Sequence, residues 1–390
     1  MNIIEIIFWI CLIIVFYTYI GYGIVLYIAV KIKKAFCKGK NIEDKELPDI
    51  TLMICAYNEQ DIVDIKMENT NKLEYPEGKL HIVWVTDGSN DETNDRLAKY
   101  PNVTVLHRSE RKGKTAALNR GIALTETSII VMTDANTMIN PEAMLEVAKQ
   151  FMDPKVACVA GEKRVLARHE GQTAAEGEGI YWKYESTLKK WDSELYSAMG
   201  AAGEFCAIRK ELYHEMPEDT LLDDFIMSME MVDRGYRIAY TDKAYAMEYG
   251  SANMQEESKR KRRIAAGGLQ SIWRLRKLLN PSRNPVVTFQ YVSHRVLRWS
   301  ITPIALFLLI PLNVILLFGN AGTIYTVIWI LQILFYVAAL GGYILACKER
   351  KNKILNIAYY FLFMNINVFR GMAYLISHKN NGAWEKAKRG

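Results

Sequence analysis

Several patterns that carry chemistry are missing from this 390-residue sequence. No Gly-x-Gly-x-x-Gly motif follows a predicted strand, which removes the main sequence argument for a nicotinamide-dependent enzyme. Gly113-Lys114-Thr115 is similar to the end of a P-loop, but Arg108 stands where that motif needs glycine, so a P-loop is excluded. We expect no nucleic-acid partner. The six cysteines are scattered and predict neither a disulfide framework nor a zinc site: Cys11, Cys37, Cys55, Cys158, Cys206 and Cys347.

Charged residues are absent from three long stretches, residues 6–30, 299–318 and 323–347. At about 1.5 Å per residue, each is long enough to cross a hydrocarbon core of about 30 Å, so we predict three transmembrane helices. Because Glu5 makes the N-terminus acidic and no Ala-x-Ala pattern follows, the first stretch is predicted to be a retained anchor, not a signal peptide. The turn-forming residues 319–322 make the other two a helical hairpin.

Basic clusters predict which side of the membrane the middle of the chain faces. They follow the first and third stretches, and the positive-inside rule places both in the cytoplasm. Their members are Lys31, Lys33, Lys34, Lys38, Lys40, Lys348, Arg350, Lys351 and Lys353. The predicted organisation is a membrane helix over residues 1–30, a basic linker over 31–47, a cytoplasmic domain over 48–255, a basic amphipathic segment over 256–298, C-terminal membrane helices over 299–377 and a basic tail over 378–390.

The last apolar stretch, residues 354–369, is a poor spanning helix. It has only 16 uncharged residues before Arg370, and three of them are Asn356, Asn365 and Asn367. If it crosses, the basic tail lies outside, against the positive-inside tendency; a re-entrant or interfacial path keeps the tail cytoplasmic. The sequence leaves both paths open.

The central domain alternates short β-branched runs with helical patterns, which predicts an α/β fold with parallel strands. The strands are expected at residues 50–54, 81–85, 103–106 and 128–132. Ligands bind beyond the carboxyl ends of such strands. Polar loops follow three of these ends: residues 56–59, which are Ala56, Tyr57, Asn58 and Glu59; residues 87–91, which begin with Asp87; and residues 134–136.

Asp134 and Asn136 are candidate ligands of a divalent cation. Two oxygen-bearing side chains separated by one small residue can reach one Mg²⁺ or Mn²⁺, whose shell is usually completed by substrate phosphates. The alternative is a turn in which such side chains bond their own backbone, and the same alternative applies to Asp87. Lys114, at a predicted helix start, suits a phosphate.

Asp223 and Asp224 begin another predicted helix, which ends at Gly235. Either the pair caps the helix, a structural role worth about 1 kcal/mol, or one member is a general base. We expect the helix dipole to lower the pKa of these carboxyls, which would weaken them as bases. The residues alone leave the choice open.

The segment 259–279 interleaves lysine and arginine with leucine, isoleucine and Trp273. This pattern predicts a helix that lies on anionic lipid headgroups. A solvated basic linker is the alternative.

The order of these motifs resembles that of the membrane-bound family 2 glycosyltransferases with a GT-A catalytic domain, in the branch of cellulose, hyaluronan, chitin-oligosaccharide and poly-N-acetylglucosamine synthases. The resemblance implies an α/β GT-A domain with a mixed, mainly parallel sheet, inserted between transmembrane helices. It also implies site residues. Those for the nucleotide are Ala56, Tyr57, Glu59, Asp87, Lys114, Asp134 and Arg263; those for the acceptor are Gly203, Glu204, Phe205 and Asp223; those for the metal are Asp134 and Asn136; and Asp224 is the catalytic base.

Two departures from the family pattern concern processivity. Processive members carry Gln-x-x-Arg-Trp, and here Arg260 replaces the glutamine and Ile264 the tryptophan, while Arg263 is kept. Because the tryptophan is implicated in holding the acceptor sugar, processive polymerisation is put in doubt.

A further departure concerns the metal motif. Asn136 replaces its second acid, so Asp134 and the diphosphate must supply more of the binding of the cation.

The resemblance implies an inverting transfer from a nucleotide diphosphate-sugar, expected to be a UDP-sugar, at the cytoplasmic membrane face. The expected acceptor is a glycan or a lipid-linked molecule, in surface or exopolysaccharide synthesis, and membrane lipids are expected partners. One rival is a single addition to a lipid-linked acceptor. The other is an inactive regulatory or transport subunit, against which the acids Asp87, Asp134 and Asp224 argue.

Overall fold

The computed structural model describes residues 2–36, 46–167, 173–319, 322–348, 350 and 352–377. Some of the residues interpreted above lie outside this description. They are Cys37, Lys38, Lys40, Asn320, Ala321, Lys351 and the basic tail 378–390.

One eight-stranded sheet forms the centre of the domain between the candidate membrane helices. Its strands are β1 (Ile50–Ala56), β2 (Leu80–Asp87), β3 (Val103–Arg108), β4 (Ile129–Asp134), β5 (Met138–Ile139), β6 (Val156–Leu166), β7 (Phe205–Arg209) and β8 (Arg237–Tyr249). The order is β3-β2-β1-β4-β7-β6-β8-β5. The β1–β2, β1–β4, β2–β3 and β6–β8 pairs are parallel, whereas β7 is antiparallel to both β4 and β6, and β5 to β8. The mixed, mainly parallel sheet is therefore confirmed.

Fourteen helices accompany the sheet in the described part of the chain. They are α1 (Ile3–Phe16), α2 (Tyr22–Phe36), α3 (Gln60–Thr70), α4 (Thr93–Leu97), α5 (Lys114–Leu124), α6 (Ala143–Gln150), α7 (Thr173–Leu195), α8 (Asp223–Asp233), α9 (Met254–Arg274), α10 (Pro285–Tyr291), α11 (Leu297–Trp299), α12 (Ile301–Phe318), α13 (Thr323–Cys347) and α14 (Lys353–Ser377). Single π-helical turns join α1 to α2 at Tyr17–Gly21 and α10 to α11 at Val292–Val296.

Both faces of the sheet are buried. In β1, Met53 packs with Val85 and Ile130 on one face, whereas Leu52 and Ile54 belong to a second core on the other. This alternation follows from the two-residue period of a strand. Two-sided burial explains why β1 and β4 read as nearly continuous apolar runs. The parallel pairing of β1 to β4 aligns their carboxyl ends along one edge of the sheet.

Three helical stretches in the described residues are long and apolar enough to cross a membrane: Ile3–Phe36, Ile301–Phe318 and Thr323–Cys347. They coincide with the three predicted spans. The last helix, α14, is 25 residues long and does not meet the same hydropathy criterion. Asn356, Asn365 and Asn367 are buried, and α14 packs on α9 and α13. Its path relative to the membrane stays a prediction.

The N-terminal membrane helix docks directly on the central domain. Tyr22 donates a hydrogen bond to buried Asp192 of α7, and Lys33 Nζ donates to the carbonyl oxygens of Glu194 and Leu195 at 3.0 and 2.8 Å. These contacts fix α7, a helix that lines the site described below, against the membrane anchor.

Candidate active site

Hydrogen bonds join the loops that follow β1 and β2. The backbone N–H of Asn58 donates to Ser89 Oγ at 3.1 Å, and the side chains and backbone of Asn58 and Asn90 exchange two further bonds of 2.8 and 3.0 Å. The Glu59 N–H donates to Thr93 Oγ1 at 2.9 Å. Because residue 58 has φ of 51°, the left-handed region that asparagine tolerates, the chain can turn sharply here. The predicted nucleotide loops thus form one bonded unit.

Asp87 positions the loop that precedes α5. Its Oδ2 accepts from the backbone N–H groups of Lys112 at 2.9 Å and Gly113 at 2.7 Å. In the same loop, the Arg111 guanidinium lies 3.9 Å from the centre of the Tyr57 ring. The structure therefore gives Asp87 a contact that holds a loop 25 and 26 residues further along the chain, unlike the local bonding of the turn interpretation. Its predicted contact with the nucleotide stays a prediction.

Four charged side chains and one glycine meet where β4, α5 and α8 approach each other. Lys114 Nζ donates to Asp134 Oδ1 at 2.7 Å. A methyl group built on Gly203 would lie 3.2 Å from Lys114 Nζ and 3.4 Å from Asp224 Oδ2, so these groups surround the glycine. Desolvation opposes the charge of Lys114, but Asp134, Asp223 and Asp224 outweigh it and raise its pKa. Lys114 therefore stays positively charged among these carboxylates near neutral pH.

Asp224 is the member of this cluster with the altered acidity. Its Oδ1 accepts from the N–H of Phe225 at 2.8 Å, a contact of the first helical turn. Burial, and next the charge of Asp223, raise the pKa of Asp224 to about 6. The expectation that the helix dipole would lower this pKa is therefore wrong, because removal from water outweighs the dipole. A carboxyl that titrates near neutrality suits proton transfer better than an ordinary aspartate.

Asp134 and Asn136 lie at the end of β4, where the register places Asp134 beside Cys55 of β1. Both side chains are partly exposed. No group of three or more His, Cys, Asp or Glu side chains arranged for a metal occurs in the described residues. One carboxylate and one amide oxygen are hard ligands, which fits a Mg²⁺- or Mn²⁺-type cation that takes its remaining ligands from a diphosphate. They do not make a closed protein cage.

Glu204 belongs to a buried network of charges on the opposite side of Gly203. It accepts from Lys163 of β6 at 2.5 Å and from Arg260 of α9 at 3.0 Å. Arg260 also pairs with Glu178 of α7, and Lys163 with both Glu178, at 3.3 Å, and Glu248 of β8. Every one of these side chains is at most 12% exposed. The network ties α7, α9 and the predicted acceptor loop together.

The position of Arg260 corrects part of the interpretation of segment 259–279. Arg260 and Lys261 face inward and pair with carboxylates, Lys261 with Glu257 at 3.3 Å, so they are not available to lipid headgroups. Trp273 is 72% exposed. The contact of the outward face with a membrane stays a prediction for the exposed members of the segment.

A cavity of about 430 Å³ connects this cluster with the membrane helices. Lys114, Asp134, Gly203, Glu204, Asp223, Asp224 and Arg263 line it among the predicted site residues. Its far end is lined by Tyr19 of the N-terminal membrane helix and by α14 residues such as Phe361 and Met364. The cavity therefore runs from charged residues at the sheet to membrane helices that contribute apolar side chains to its lining.

The remaining predicted site residues lie outside the cavity lining. Ala56, Tyr57, Glu59 and Asp87 belong to the bonded loops beside it. Phe205 is 1% exposed and packs against Gly161 inside the sheet. This position indicates a packing role for the Phe205 ring. Phe205 does not line the cavity, so its contact with the acceptor stays a prediction.

Sequence reasoning missed the contribution of α7. Glu178, Glu185 and Lys189 all line or border the cavity, and they recur near one another on the helix at intervals of seven and four residues. That spacing was the available signal, since it places the three side chains on one helical face.

The comparisons with known proteins agree with this geometry. The model of a family described as glycosyltransferase like family 2 matches residues 48–267. A poly-beta-1,6-N-acetyl-D-glucosamine synthase of Staphylococcus aureus (strain MSSA476) is 26% identical over 226 residues, 56% of this chain and 54% of that protein. A beta-monoglucosyldiacylglycerol synthase of Trichormus variabilis (strain ATCC 29413 / PCC 7937) is 28% identical over 203 residues, 47% and 41% of the two chains. The chain spans about half the length of the curated relatives it matches.

A solved structure matches nearly the whole chain. The mannosyltransferase PcManGT from Pyrobaculum calidifontis, in complex with GDP-Man and Mn²⁺, superposes with a TM-score of 0.70 at 19% sequence identity, over 97% of this chain and 100% of that one. The GT-A fold is thereby confirmed, and the apolar helices that flank the domain make the chain a membrane protein. Since the family model covers more than half of its residues, the chain belongs to glycosyltransferase family 2.

Proposed function

We propose that this enzyme transfers a sugar, with inversion at the anomeric carbon, from a nucleotide diphosphate-sugar to a hydroxyl group of a glycan or lipid-linked acceptor. We further propose a UDP-sugar as the donor and the cytoplasmic face as the location of the catalytic domain. One observation carries the proposal. Asp224, with its raised pKa, lies in a cavity that joins Lys114 and Asp134 at one end to the membrane helices at the other.

Asp224 would accept the proton of the acceptor hydroxyl as its oxygen forms a bond to the anomeric carbon. The bond from that carbon to the diphosphate oxygen breaks, and the leaving nucleoside diphosphate keeps the electron pair. Lys114 and Arg263 both line the cavity, and their positive charge would stabilise this leaving group. Because sugar hydroxyls are weak acids, a positioned base typically contributes about 10²–10⁴-fold.

A divalent cation fits the same end of the site. Asp134 and Asn136 would hold it, and Lys114, already paired with Asp134, would lie next to it. The PcManGT complex holds Mn²⁺ with its GDP-Man, which supports the choice of Mg²⁺ or Mn²⁺. When bound, such an ion neutralises developing charge on the leaving diphosphate.

The cytoplasmic location is supported by basic residues that follow two of the candidate spans. Lys31, Lys33 and Lys34 end the N-terminal helix, and Lys348 and Arg350 follow α13. The positive-inside tendency favours the cytoplasm for both ends. A setting in surface or exopolysaccharide synthesis is supported by the similarity to the poly-beta-1,6-N-acetyl-D-glucosamine synthase.

The central test compares two neighbouring substitutions. Asp224→Asn keeps the size of the side chain and an oxygen that can accept from Phe225, so the helix should survive and donor affinity should change little. Turnover per folded molecule should fall by about 10²-fold or more. Asp223→Asn is the matched control, because Asp223 occupies the same helix start. The base assignment fails if Asp224→Asn keeps more than about a tenth of wild-type turnover. The loss of rate would then be smaller than the usual contribution of a general base.

A second experiment identifies the substrates. Purified protein in lipid is incubated with a panel of nucleotide sugars that includes UDP- and GDP-sugars, and the products are measured by mass spectrometry. Turnover with UDP-sugars alone supports the proposed donor, and turnover with GDP-mannose alone contradicts it. A ladder of products indicates polymerisation, whereas a single mass increment indicates one addition, as the replacements at Arg260 and Ile264 suggest.

A further inference from the structure

The membrane-side end of the cavity holds an excess of positive charge. Three cations line it there, Lys189 of α7 and Arg295 and Arg298 of the α10–α11 region, together with one carboxylate, Glu185. Glu185 forms an ion pair with Arg295 Nη1 at 2.7 Å and accepts a hydrogen bond from Arg298 Nη1 at 2.8 Å. It is therefore already shared between two guanidinium groups. We name these four residues the membrane-side cluster.

Asp192, a further carboxylate close to Glu185, does not neutralise this excess. Asp192 faces His294, whose Nδ1 lies 2.5 Å from Asp192 Oδ2, and it also accepts from Tyr22 and Gln290. It does not line the cavity. His294 presents its other ring nitrogen to Glu185 at 3.3 Å, so it adds a further partner to that carboxylate.

One cation of the cluster, Lys189, lacks a partner within the described part of the chain. It is 3% exposed and forms no ion pair or hydrogen bond there; its Nζ lies 5.6 Å from the centre of the Trp182 ring. Arg298, in contrast, is bonded to Glu185 through Nη1, and its Nε and Nη2 are buried. A buried cation without a partner costs several kcal/mol, so this arrangement indicates a ligand that supplies the missing negative charge.

The surroundings show what else the ligand contains. Tyr19 of the membrane anchor and Phe361 and Met364 of α14 line the same end of the cavity, which therefore offers an apolar wall next to the cations. Lys189 and Asp224 line the same cavity; burial and the charge of Arg295 lower the pKa of Lys189, and Glu185 and Asp224 act against that shift. A ligand that fills this space has an apolar chain, then an anionic group, then a part that reaches Asp224.

We propose that the acceptor is a phosphate-bearing lipid, whose phosphate binds Lys189 while a hydroxyl of its headgroup sugar reaches Asp224. The inference rests on the proposed transfer at Asp224, and it specifies the acceptor class that the proposed function leaves open. Phosphate supplies several acceptor oxygens and at least one full negative charge, which matches the unpaired ammonium group of Lys189. The apolar chain leaves the cavity between the membrane anchor and α14.

The first test measures binding and needs no transfer. Farnesyl phosphate is titrated into the purified full-length protein in neutral detergent, with the donor site filled by a nucleoside diphosphate, and farnesol and inorganic phosphate serve as comparison ligands. Wild type should bind farnesyl phosphate more tightly than either. Lys189→Met should weaken that binding about tenfold or more, the loss expected for one charge-assisted hydrogen bond, and should leave farnesol binding unchanged. Lys189→Arg should retain it.

Lys190→Met is the matched control. Lys190 is the adjacent residue, but it is 46% exposed and pairs at the surface with Asp242 at 2.6 Å, so its loss should not change farnesyl phosphate binding. Equal binding by wild type and Lys189→Met overturns the inference. Competition by inorganic phosphate as strong as that by farnesyl phosphate also overturns it, because the site would then bind free anions. If Lys189→Met does not fold, Lys189→Gln replaces it.

The second test separates this inference from the proposed function. Transfer is measured to a polyisoprenyl diphosphate-linked sugar and to a neutral glycosyl diacylglycerol. Lys189→Met should raise the KM for the phosphate-bearing acceptor with little change in kcat, and should leave the neutral acceptor unaffected. An equal effect on both acceptors contradicts the inference. Absence of transfer to any acceptor, with Lys189-dependent binding intact, contradicts the proposed function alone.

Discussion

The two halves of the catalytic domain are held together by different forces. In the donor half, β1 to β4 and their loops, neutral groups of neighbouring loops bond each other, as Asn58 does with Ser89 and Asn90. In the acceptor half, β6 to β8 with α7 to α9, buried ion pairs join the elements, as Arg260 and Glu178 do. The donor half therefore depends on hydrogen bonds between its loops, and the acceptor half on a network that fails as a unit when one charge is removed.

Arg260→Met gives the largest expected effect on stability. It leaves Glu178 and Glu204 buried with fewer cationic partners, which should cost about 3–5 kcal/mol of unfolding free energy. Lys259→Met is the control, since Lys259 is 44% exposed and pairs with Glu256 at the surface, and it should change stability by less than about 0.5 kcal/mol. Denaturant midpoints in detergent measure both. Equal midpoints would show that the acceptor half does not depend on the network.

Asp224 lies between the halves, and its pKa of about 6 predicts two pH effects. A base must be deprotonated, so the transfer rate should fall about tenfold per unit as pH drops below about 6. The folded protein binds this proton more tightly than the unfolded chain, so ionised Asp224 destabilises the fold above pH 6. Asp224→Asn should therefore raise the free energy of unfolding at pH 8 by up to about 3 kcal/mol, and this gain should vanish near pH 4.

A rate profile that stays flat from pH 8 to pH 5 would contradict the role of Asp224 in transfer. A gain in stability that is the same at pH 8 and pH 4 would contradict its raised pKa. The two measurements are independent, because the first follows turnover and the second follows folding.

Asp87→Ala tests the donor half. It removes the acceptor of the Lys112 and Gly113 N–H groups, which should cost about 1–3 kcal/mol and raise the KM for the donor while leaving the acceptor KM unchanged. Asp87→Asn keeps one acceptor oxygen, which can take the place of Oδ2, and should recover most of the stability. If Asp87→Asn is as harmful to donor KM as Asp87→Ala, the carboxylate contacts the nucleotide; a rise in acceptor KM would show that the halves are not separate.

Asn136→Asp should have the smallest effect. A second carboxylate beside Asp134 should lower the cation concentration for half-maximal transfer by roughly a few-fold, because ligand charge tunes the affinity of such sites. Excess chelator should abolish transfer by both forms, and added Mg²⁺ or Mn²⁺ should restore it. Full activity in chelator contradicts the metal assignment, and an unchanged cation requirement places Asn136 outside the coordination shell.

The donor half could be predicted from sequence because its signals are local. The strands β1 to β4 are apolar runs that end in polar loops, and the helix starts at Lys114 and Asp223 were recognisable from the residues around them. Asp134 and Lys114 were also predicted to share the site, and they form an ion pair. The family motifs supplied the roles that local patterns left open.

The acceptor half could not be predicted in the same way, because buried charges conceal its pattern. Lys163 on β6 and Glu248 on β8 are buried on strands whose sequences therefore do not read as apolar. Glu178 and Lys189 make α7 look like a solvated helix. The raised pKa of Asp224 could not be predicted for a similar reason. Burial raises it, and that burial depends on residues distant in sequence, which a rule about the helix start does not include.

The π-helical turn Tyr17–Gly21 has a consequence for the rotational phase of the membrane anchor. Tyr17 bonds Ser293, inside the second π-helical turn, at 2.8 Å, and Thr18 bonds Thr302 at the same distance. Each residue in a helix advances the side-chain direction by about 100°. Deleting one residue from the turn would rotate α1 by about that angle relative to α2, and would swing Trp9 away from Tyr325, its partner at 3.2 Å. The extra residue thus allows one helix to face α12 and α13 in its first half and α7 in its second.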